Sequence, residues 1–316
     1  MVETPHKHKN TSNGANKLRF LVTGGSGLLG SKITYILEKR GHKVFSGCNK
    51  HKAKYGTPIK FDITDKEEVK KAFELSKPEA VIHAAALTDV DKCEKDREYA
   101  WKVNVEGTEN IVELSQTNNA FLVYVSSDYV FSGEKGLYTE TDTPNPINHY
   151  GLTKLEGEKI VSQSPLQSCI VRPSVIFGST PSVGKVNFAL WVIRKLRRGK
   201  RLRIFKEQYV SPTLNTNLAE MILEIVERKL TGIYHLAGAT PINRYEFAKL
   251  IAETFELDGS LVYVNKHEKR RWFAKRPKNT SLNVKKALRT LKNKPLEIHD
   301  ALKILKEEIK LKEKAV

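Results

Sequence analysis

Apolar residues group along the chain in two alternating rhythms. Short runs that are apolar on both faces occupy residues 17–23 (KLRFLVT), 43–48, 80–84 (AVIHA), 121–126 (FLVYVS) and 168–172 (SCIVR). They carry no 3.6-residue period and read as buried strands. Between them, Leu28, Leu29, Ile33, Ile36 and Leu37 stand at helical spacing over residues 27–40, closed by Gly41. Phe61 precedes a turn at Asp62, and Thr64 is placed to cap a helix through Leu75 that ends before Pro78. Helical patterns also cover residues 98–118 and run from Tyr150 to about Ser162. Strands alternating with helices predict a parallel sheet covered on both faces. Right-handed crossovers make it a doubly wound α/β fold of the Rossmann type.

Beyond Pro173 the rhythm changes. Helices are expected near residues 187–198, 216–229 and 244–255, with a short strand at 202–205. This divides the chain into a flexible tail (1–16), a main domain (17–173) and a smaller C-terminal cap (174–316) interleaved with the main domain.

Composition narrows the class. Of 316 residues, 40% are hydrophobic and 28% charged, which is ordinary for a globular protein and excludes a disordered chain. No apolar run approaches the roughly 20 residues of a membrane span. The three cysteines, Cys48, Cys93 and Cys169, have no CxxC spacing, so neither a disulfide framework nor a metal knuckle is expected, and a reducing cytoplasm suits them. The polar first sixteen residues lack the apolar core of a secretion signal. Charge is the unusual feature: 54 Lys+Arg against 36 Asp+Glu give a net +18. Eight of thirteen residues from Arg194 to Lys206 are basic, and residues 266–316 hold seventeen basic and six acidic groups. No helix-turn-helix, zinc-finger or RNP pattern accompanies them. The charge therefore reads as a solvated basic surface with a basic cleft for a diphosphate, not as a nucleic-acid interface.

Two constellations carry chemistry. Thr23-Gly24-Gly25-Ser26-Gly27-Leu28-Leu29-Gly30 joins the first strand to the first helix. Gly24 can take a tight turn, Gly27 admits a pyrophosphate close to the backbone, and Gly30 lets the helix lie on the strand. The helix N-terminus, with Ser26, Leu28 and Leu29, offers N–H groups to phosphate. After the second strand, Cys48-Asn49-Lys50-His51-Lys52 holds no carboxylate. Asn49 and Lys50 therefore favour the 2′-phosphate of NADP(H), with NAD(H) still admissible. Asp62 and Ile63 would bracket the adenine. The second constellation, Tyr150-Gly-Leu-Thr-Lys154, puts a phenol and an ammonium on one helical face. The ammonium would lower the phenol's pKa and make proton transfer practical. Ser127, at a strand end, could hold a carbonyl oxygen.

Together, TGGSGLLG, the stretch His83 to Glu94, SSDYVF (126–131) and YGLTK resemble the extended short-chain dehydrogenase/reductase superfamily. SSDYVF, residues 140–158 and RPKNTSLN (276–283) are similar to the dTDP-4-dehydrorhamnose reductase family, and also to the regulatory β subunit of methionine adenosyltransferase. The resemblance covers residues 17 to about 305. It implies that Tyr150 is the general acid, that Lys154 binds the nicotinamide ribose, and that Ser127 donates to the carbonyl. It implies that Ala84, Ala85 and Ala86 pass beside the cofactor, that Asn104 orders the site, and that Arg172 with Pro173, Ser174 and Val175 borders the nicotinamide. Asp128 and Tyr129 would touch the sugar, and Asn187, Gln208 and Arg276 would serve the nucleotide-sugar side. Some bacterial relatives carry a metal-binding carboxylate where this chain has Lys32, so no metal is expected.

The activity so implied is NADPH-dependent reduction of the C4 ketone of a nucleotide-linked 4-keto-6-deoxy sugar, by a cytoplasmic homodimer. An epimerase or dehydratase of the same superfamily is an alternative, with Asp128 as an added acid–base group. A non-catalytic NADP-binding subunit partnered with methionine adenosyltransferase is another.

Overall fold

A computed structural model describes residues 17–180, 186–265 and 272–314. The expected tail at residues 1–16 lies outside the described residues. Seven strands form one sheet, in the order Gly232–His235, Ser168–Arg172, Phe121–Val125, Ala80–His83, Arg19–Thr23, Lys43–Cys48, Thr57–Lys60. Every neighbouring pair is parallel. The order reverses beside Arg19–Thr23, and all seven carboxyl ends share one edge, where a doubly wound sheet opens a crevice.

Alternation along the strands builds two core layers. Phe20, Val22, Ile82, Val123 and Val171 pack with Ile33 and Leu37 of the helix Gly30–Lys39 and with Leu218 and Ile222 of Asn215–Glu227. Leu21, Val81, Leu122 and Ile170 face the opposite way, onto Val69 and Phe73 of Lys66–Ser76, Ile111 of Gly107–Thr117 and Val161 of His149–Gln163. Successive strand residues point to opposite faces, so a strand buried on both sides must be apolar throughout.

Several elements depart from the sequence reading. The first helix begins at Gly30, with residues 27–29 forming the turn before it. Asp65, not Thr64, caps the next helix, accepting from Glu68 N at 3.0 Å, while Thr64 bonds back to Asp62. Thr57–Lys60 is a third strand that the apolar pattern had left without bounds; its Pro58 is tolerated because it sits at the sheet edge. The expected helix over 98–118 is broken into Arg97–Trp101, a π-helical turn at Lys102–Glu106, and Gly107–Thr117. The strand Gly232–His235 lies past residue 173 yet completes the main sheet. The lysine-rich end forms the amphipathic helix Ile298–Lys314, burying Ile298, Leu302, Leu305 and Ile309.

That last helix belongs to a second apolar cluster. It also takes in Phe188–Leu196, Arg244–Thr254 and the parallel strands Leu202–Ile204 and Val262–Val264. This smaller layer faces the carboxyl edge of the sheet across a cleft. Among the described residues no helix is long and apolar enough to cross a membrane.

One buried ion pair ties the main layers together. Arg172, at the end of its strand, gives Nε and Nη2 to the two oxygens of Glu158 at 2.8 and 2.6 Å, and Ser126 Oγ donates to the same carboxylate at 2.5 Å. Arg172→Met leaves Glu158 buried without its cation and is expected to lower stability by about 3–5 kcal/mol. Urea unfolding reads this directly, and a loss under about 1 kcal/mol would show that the pair contributes nothing the packing does not.

Candidate active site

The cleft has a volume of about 1140 Å³ and runs along the carboxyl edge of the sheet. At one place lies the glycine turn. Gly24 has φ +69°, and a Cβ there would meet the backbone of Ala84 and Ala85 at 2.9–3.0 Å. At Gly30 a Cβ would fall 2.2 Å from the Gly24 carbonyl oxygen. Only glycine satisfies both positions. Gly27 N donates to Gly24 O at 2.8 Å and closes the turn. Gly24, Ser26, Gly27, Leu28 and Leu29 all line the cleft ahead of the first helix.

The lining continues on one side through Asn49, Lys50, His51, Asp62 and Ile63. Asn49 Nδ2 donates to Asp62 Oδ2 at 2.8 Å. Partial burial pushes the Asp62 carboxyl up, but hydrogen bonds from Thr64 and Asn49 prevail and hold it below its ordinary value. On the other side come Ala84, Ala85 and Ala86. A phosphate-binding turn, a basic loop and a small-residue wall in one slot fit a dinucleotide. The chemistry of the donor set supports that fit: N–H groups and lysine where phosphates would lie, a phenol and an ammonium farther along.

Farther along are Ser127, Tyr150 and Lys154, all lining the cleft. Asn148 caps the helix His149–Gln163, accepting from Gly151 N at 2.9 Å. Tyr150 is 8% exposed, with the Ser127 hydroxyl beside its phenol. The ring of Tyr129 stands edge-on to it at 5.8 Å. Lys154 is 2% exposed, its ammonium 4.1 Å from the centre of the Tyr124 ring. The expected lowering of the Tyr150 pKa is not what the site produces. Burial raises it well above the phenol range, and the neighbouring Ser127 hydroxyl only partly opposes this. Burial also draws Lys154 down to about 7, against the pull of Glu158. Tyr150 is thus held as the neutral phenol, ready to donate.

Other assigned residues act from outside the cleft. Asn104 is 1% exposed and does not line it. Its Oδ1 accepts from Leu87 N at 2.7 Å and its Nδ2 reaches Thr153 Oγ1 at 3.0 Å, so it pins the Ala86–Leu87 segment to the helix His149–Gln163. The π-helical turn at Lys102–Glu106 places it there. Arg172 likewise does not face the cleft: it is consumed by Glu158, while Pro173 and Val175 reach the lining.

Asn187, Gln208, Arg276, Asp128 and Tyr129 all touch the cleft. The Asn187 amide, however, is occupied: it caps Phe188–Leu196 through Leu190 N and donates to Gly178 O. Gln208 Oε1 accepts from Arg244 Nε at 3.1 Å. Arg276 pairs with Asp91 at 3.1 Å and lies 4.7 Å over the Trp272 ring. Sequence reasoning missed Arg244, stacked 5.2 Å over Phe188, and with it Arg203, Phe205, Trp191 and Trp272 in the lining. Their signal was present as basic and aromatic residues interleaved through the cap. Lys32 forms an ion pair with Glu308 at 3.1 Å.

With this geometry in view, comparison with known proteins becomes informative. The model of the RmlD substrate binding domain matches residues 18–310. A crystal structure described as a hypothetical dTDP-4-dehydrorhamnose reductase from Sulfolobus tokodaii is 39% identical, with a TM-score of 0.80 over 90% of this chain and 99% of that one. A dTDP-4-dehydrorhamnose reductase from Bacillus anthracis in complex with NADP is 29% identical, with a TM-score of 0.82 over 93% and 99% of the two chains. Methionine adenosyltransferase 2 subunit beta of Xenopus tropicalis is 32% identical over 247 residues, 77% of this chain and 73% of that one.

The depressed Lys154 pKa has a consequence for stability. Between about pH 7 and the ordinary lysine value of 10.5, the unfolded chain binds a proton that the folded chain does not. Stability contributed through Lys154 should therefore rise with pH across that window and be lowest below it. Lys154→Met should remove this slope. Urea unfolding of both proteins between about pH 6 and pH 9 measures it, and a wild-type-minus-variant difference that is flat in pH would mean that Lys154 stays charged when buried.

Proposed function

Because the chain belongs to the RmlD substrate binding domain family, we propose that it is an NADPH-dependent reductase of the C4 ketone of a nucleotide-linked 4-keto-6-deoxy sugar, of the dTDP-4-dehydrorhamnose type. The observation that carries this reading is that Ser127, Tyr150 and Lys154, the last two one helical turn apart, line the same cleft as the glycine turn. In this reading Gly24, Ser26, Gly27, Leu28 and Leu29 hold the pyrophosphate. Ala84, Ala85 and Ala86 form the side wall, and Asp62 and Ile63 meet the adenine. Asn49 spends its amide on Asp62, which leaves Lys50 and His51 for the 2′-phosphate.

When bound, the reduced nicotinamide supplies a hydride to the carbonyl carbon. Tyr150 gives its proton to the carbonyl oxygen, and the product is the alcohol. Lys154 holds the ribose hydroxyls and steadies the Tyr150 oxygen once its proton has gone. Arg203, Arg244 and Arg276, backed by Phe188 and Trp272, supply cations and ring faces for the diphosphate and base. The dehydratase reading is not favoured, because the Asp128 carboxylate is already engaged by three hydroxyl donors. A homodimer in the cytoplasm completes the proposal; the three cysteines are buried, which suits a reducing compartment.

A second reading, a regulatory subunit of methionine adenosyltransferase, is favoured by the similarity to the Xenopus subunit. Co-purification with such an enzyme, together with no turnover of any keto sugar, would select it.

The test is NADPH oxidation by the purified protein supplied with dTDP-4-keto-6-deoxy-L-sugar made in situ. Oxidation should require the sugar, and Tyr150→Phe should lower kcat by about 10²–10⁴-fold with NADPH affinity nearly unchanged. Normal turnover by Tyr150→Phe would refute the assignment. Lys50→Glu should weaken NADPH relative to NADH by about tenfold or more; an unchanged ratio of dissociation constants would show that this loop does not read the 2′-phosphate.

A further inference from the structure

Lys154 is a buried cation that lacks the partners a buried cation normally has. It is 2% exposed, yet among the described residues its ammonium makes no hydrogen bond and no ion pair. The Glu158 carboxylate, one turn on, is taken by Arg172 and Ser126. What the ammonium does have is the face of Tyr124, whose ring centre lies 4.1 Å away. An aromatic face carries negative charge density, and a desolvated ammonium at this distance is attracted to it.

The ring is held in that place from several sides. Tyr124 belongs to the strand Phe121–Val125 and is fully buried. Its hydroxyl donates to the Lys154 carbonyl oxygen at 3.3 Å. A Cβ at Gly157 would fall 2.1 Å from that hydroxyl and 2.7 Å from the ring carbon bearing it, so the helix settles on the ring only because residue 157 is glycine. On the neighbouring strand the His83 ring stands 5.8 Å away. One side chain thus meets Lys154 at both ends, its hydroxyl on the backbone and its face on the ammonium. Packing alone does not call for this, since Leu21, Val81, Leu122 and Ile170 fill the same layer with aliphatic groups. The titratable groups around the ammonium are Tyr150 and Glu158 on its own helix, Tyr124 and His83 on the two strands, and Cys93 on the helix Val90–Lys95. The anion among them, Glu158, is already matched by Arg172, and burial holds His83 neutral.

We propose that Tyr124 is a positioning residue for Lys154: its ring face seats the ammonium and keeps it charged, its hydroxyl fixes the Lys154 carbonyl, and the N–H groups of the ammonium stay available to the cofactor ribose. This rests on the role given to Lys154 in the reductase reading. No bond is made or broken by Tyr124. Burial pulls Lys154 toward the neutral amine, and the ring works against that pull without occupying a single N–H donor in the way a carboxylate would.

A double-mutant cycle read by NADPH binding tests this. Tyr124→Phe keeps the ring face, and its NADPH Kd should stay within about threefold of wild type, whereas Tyr124→Leu should weaken NADPH by about tenfold. In the Lys154→Met background the Tyr124→Leu change should alter Kd by less than about twofold, because Tyr124 acts through Lys154. A loss of equal size with and without Lys154 would make the ring plain packing and overturn the proposal, and so would a Tyr124→Phe loss as large as that of Tyr124→Leu. The pH profile of kcat, with NADPH and the keto sugar saturating, is the second readout. Turnover should fall as Lys154 loses its proton, and in Tyr124→Leu the fall should come about one pH unit lower, since the ring favours the charged form. An unmoved midpoint in Tyr124→Leu sinks the idea. Should Tyr124→Leu fail to fold, Tyr124→Phe made with increasingly fluorinated phenylalanine keeps the ring in place while draining its face. NADPH affinity should then fall with each added fluorine, and the absence of any trend overturns the proposal. Wild-type protein that binds NADPH but reduces no keto sugar overturns the reductase reading alone; the Kd series needs no turnover and still decides on Tyr124.

Discussion

Glu158 lies behind the candidate active site, buried, and the position of everything catalytic depends on how its charge is met. Its carboxylate takes Nε and Nη2 of Arg172 and the hydroxyl of Ser126. Ser126 directly follows one strand and Arg172 ends its neighbour, while Glu158 projects from the helix that also carries Tyr150 and Lys154. One buried anion therefore fixes a helix against two strand ends. Lys154 lies one turn before Glu158, and Tyr150 one turn before that. Ser127 follows Ser126 directly. If the helix slid or rotated, the buried Glu158 would be left without its partners, which fixes the register of Tyr150 and Lys154 against the strand ends. Gly157 makes the close approach possible: a Cβ there would fall 2.1 Å from the Tyr124 hydroxyl.

The same burial sets the protonation states. His83, with Thr23 Oγ1 at 2.7 Å and Thr108 Oγ1 at 3.1 Å on its two ring nitrogens, is held neutral, its pKa drawn down to about 3 by burial. Thr108 gives its proton to Asn104 O, and Thr23 accepts from Ala85 N. His83 must therefore carry its proton on Nε2. This chain links the wall of the cleft to the π-helical turn that aims Asn104. Lys154 is pulled toward neutrality and Tyr150 away from ionisation by the same desolvation. A site of this kind suits reduction of a ketone, where the protein has to furnish a proton, better than it suits abstraction of one.

How much of this was legible in the sequence follows from the range of each interaction. The glycine turn and the Tyr150–Lys154 spacing are local, and the chain displays them directly. The core strands were legible because burial on both faces demands apolar residues throughout. The bounds of Thr57–Lys60 were not, since an edge strand needs neither a continuous apolar run nor every N–H. Asp65 took the cap expected of Thr64 because Asp62 had already claimed the Thr64 hydroxyl and amide. Arg172 was assigned to the cofactor because it stands beside residues of the cleft in the sequence, yet its partner, Glu158, comes from an element that only folding brings near. Asp128 does line the cleft, and the Ser174 and Thr280 hydroxyls on its carboxylate are likewise brought near only by folding. Proximity along the chain could not show that these polar atoms already had partners.

The excess positive charge divides in the same way. In the segment 194–206, Arg194, Lys195, Arg197, Arg198 and Lys200 are exposed around the buried Leu196, Leu202 and Ile204. They follow from an amphipathic surface. Arg244 and Arg276 are different. Each is partly buried in the cleft, flattened over an aromatic ring, and tethered by a polar side chain, Gln208 or Asp91, with Arg276 Nη1 also 3.4 Å from Ala274 O. A stacked, tethered guanidinium has lost most of its rotamer freedom before any anion arrives, so less ordering remains to oppose binding. The tether is also weaker than a saturating one: Gln208 is neutral, and Asp91 meets Arg276 through a single nitrogen at 3.1 Å. Arginines held in this way keep capacity for a second, doubly charged partner, whereas buried Arg172 has Nε and Nη2 on Glu158 and Nη1 3.4 Å from His235 Nε2. The structure thus separates charge that holds the fold together from charge left available to a ligand, a distinction that net charge alone does not contain.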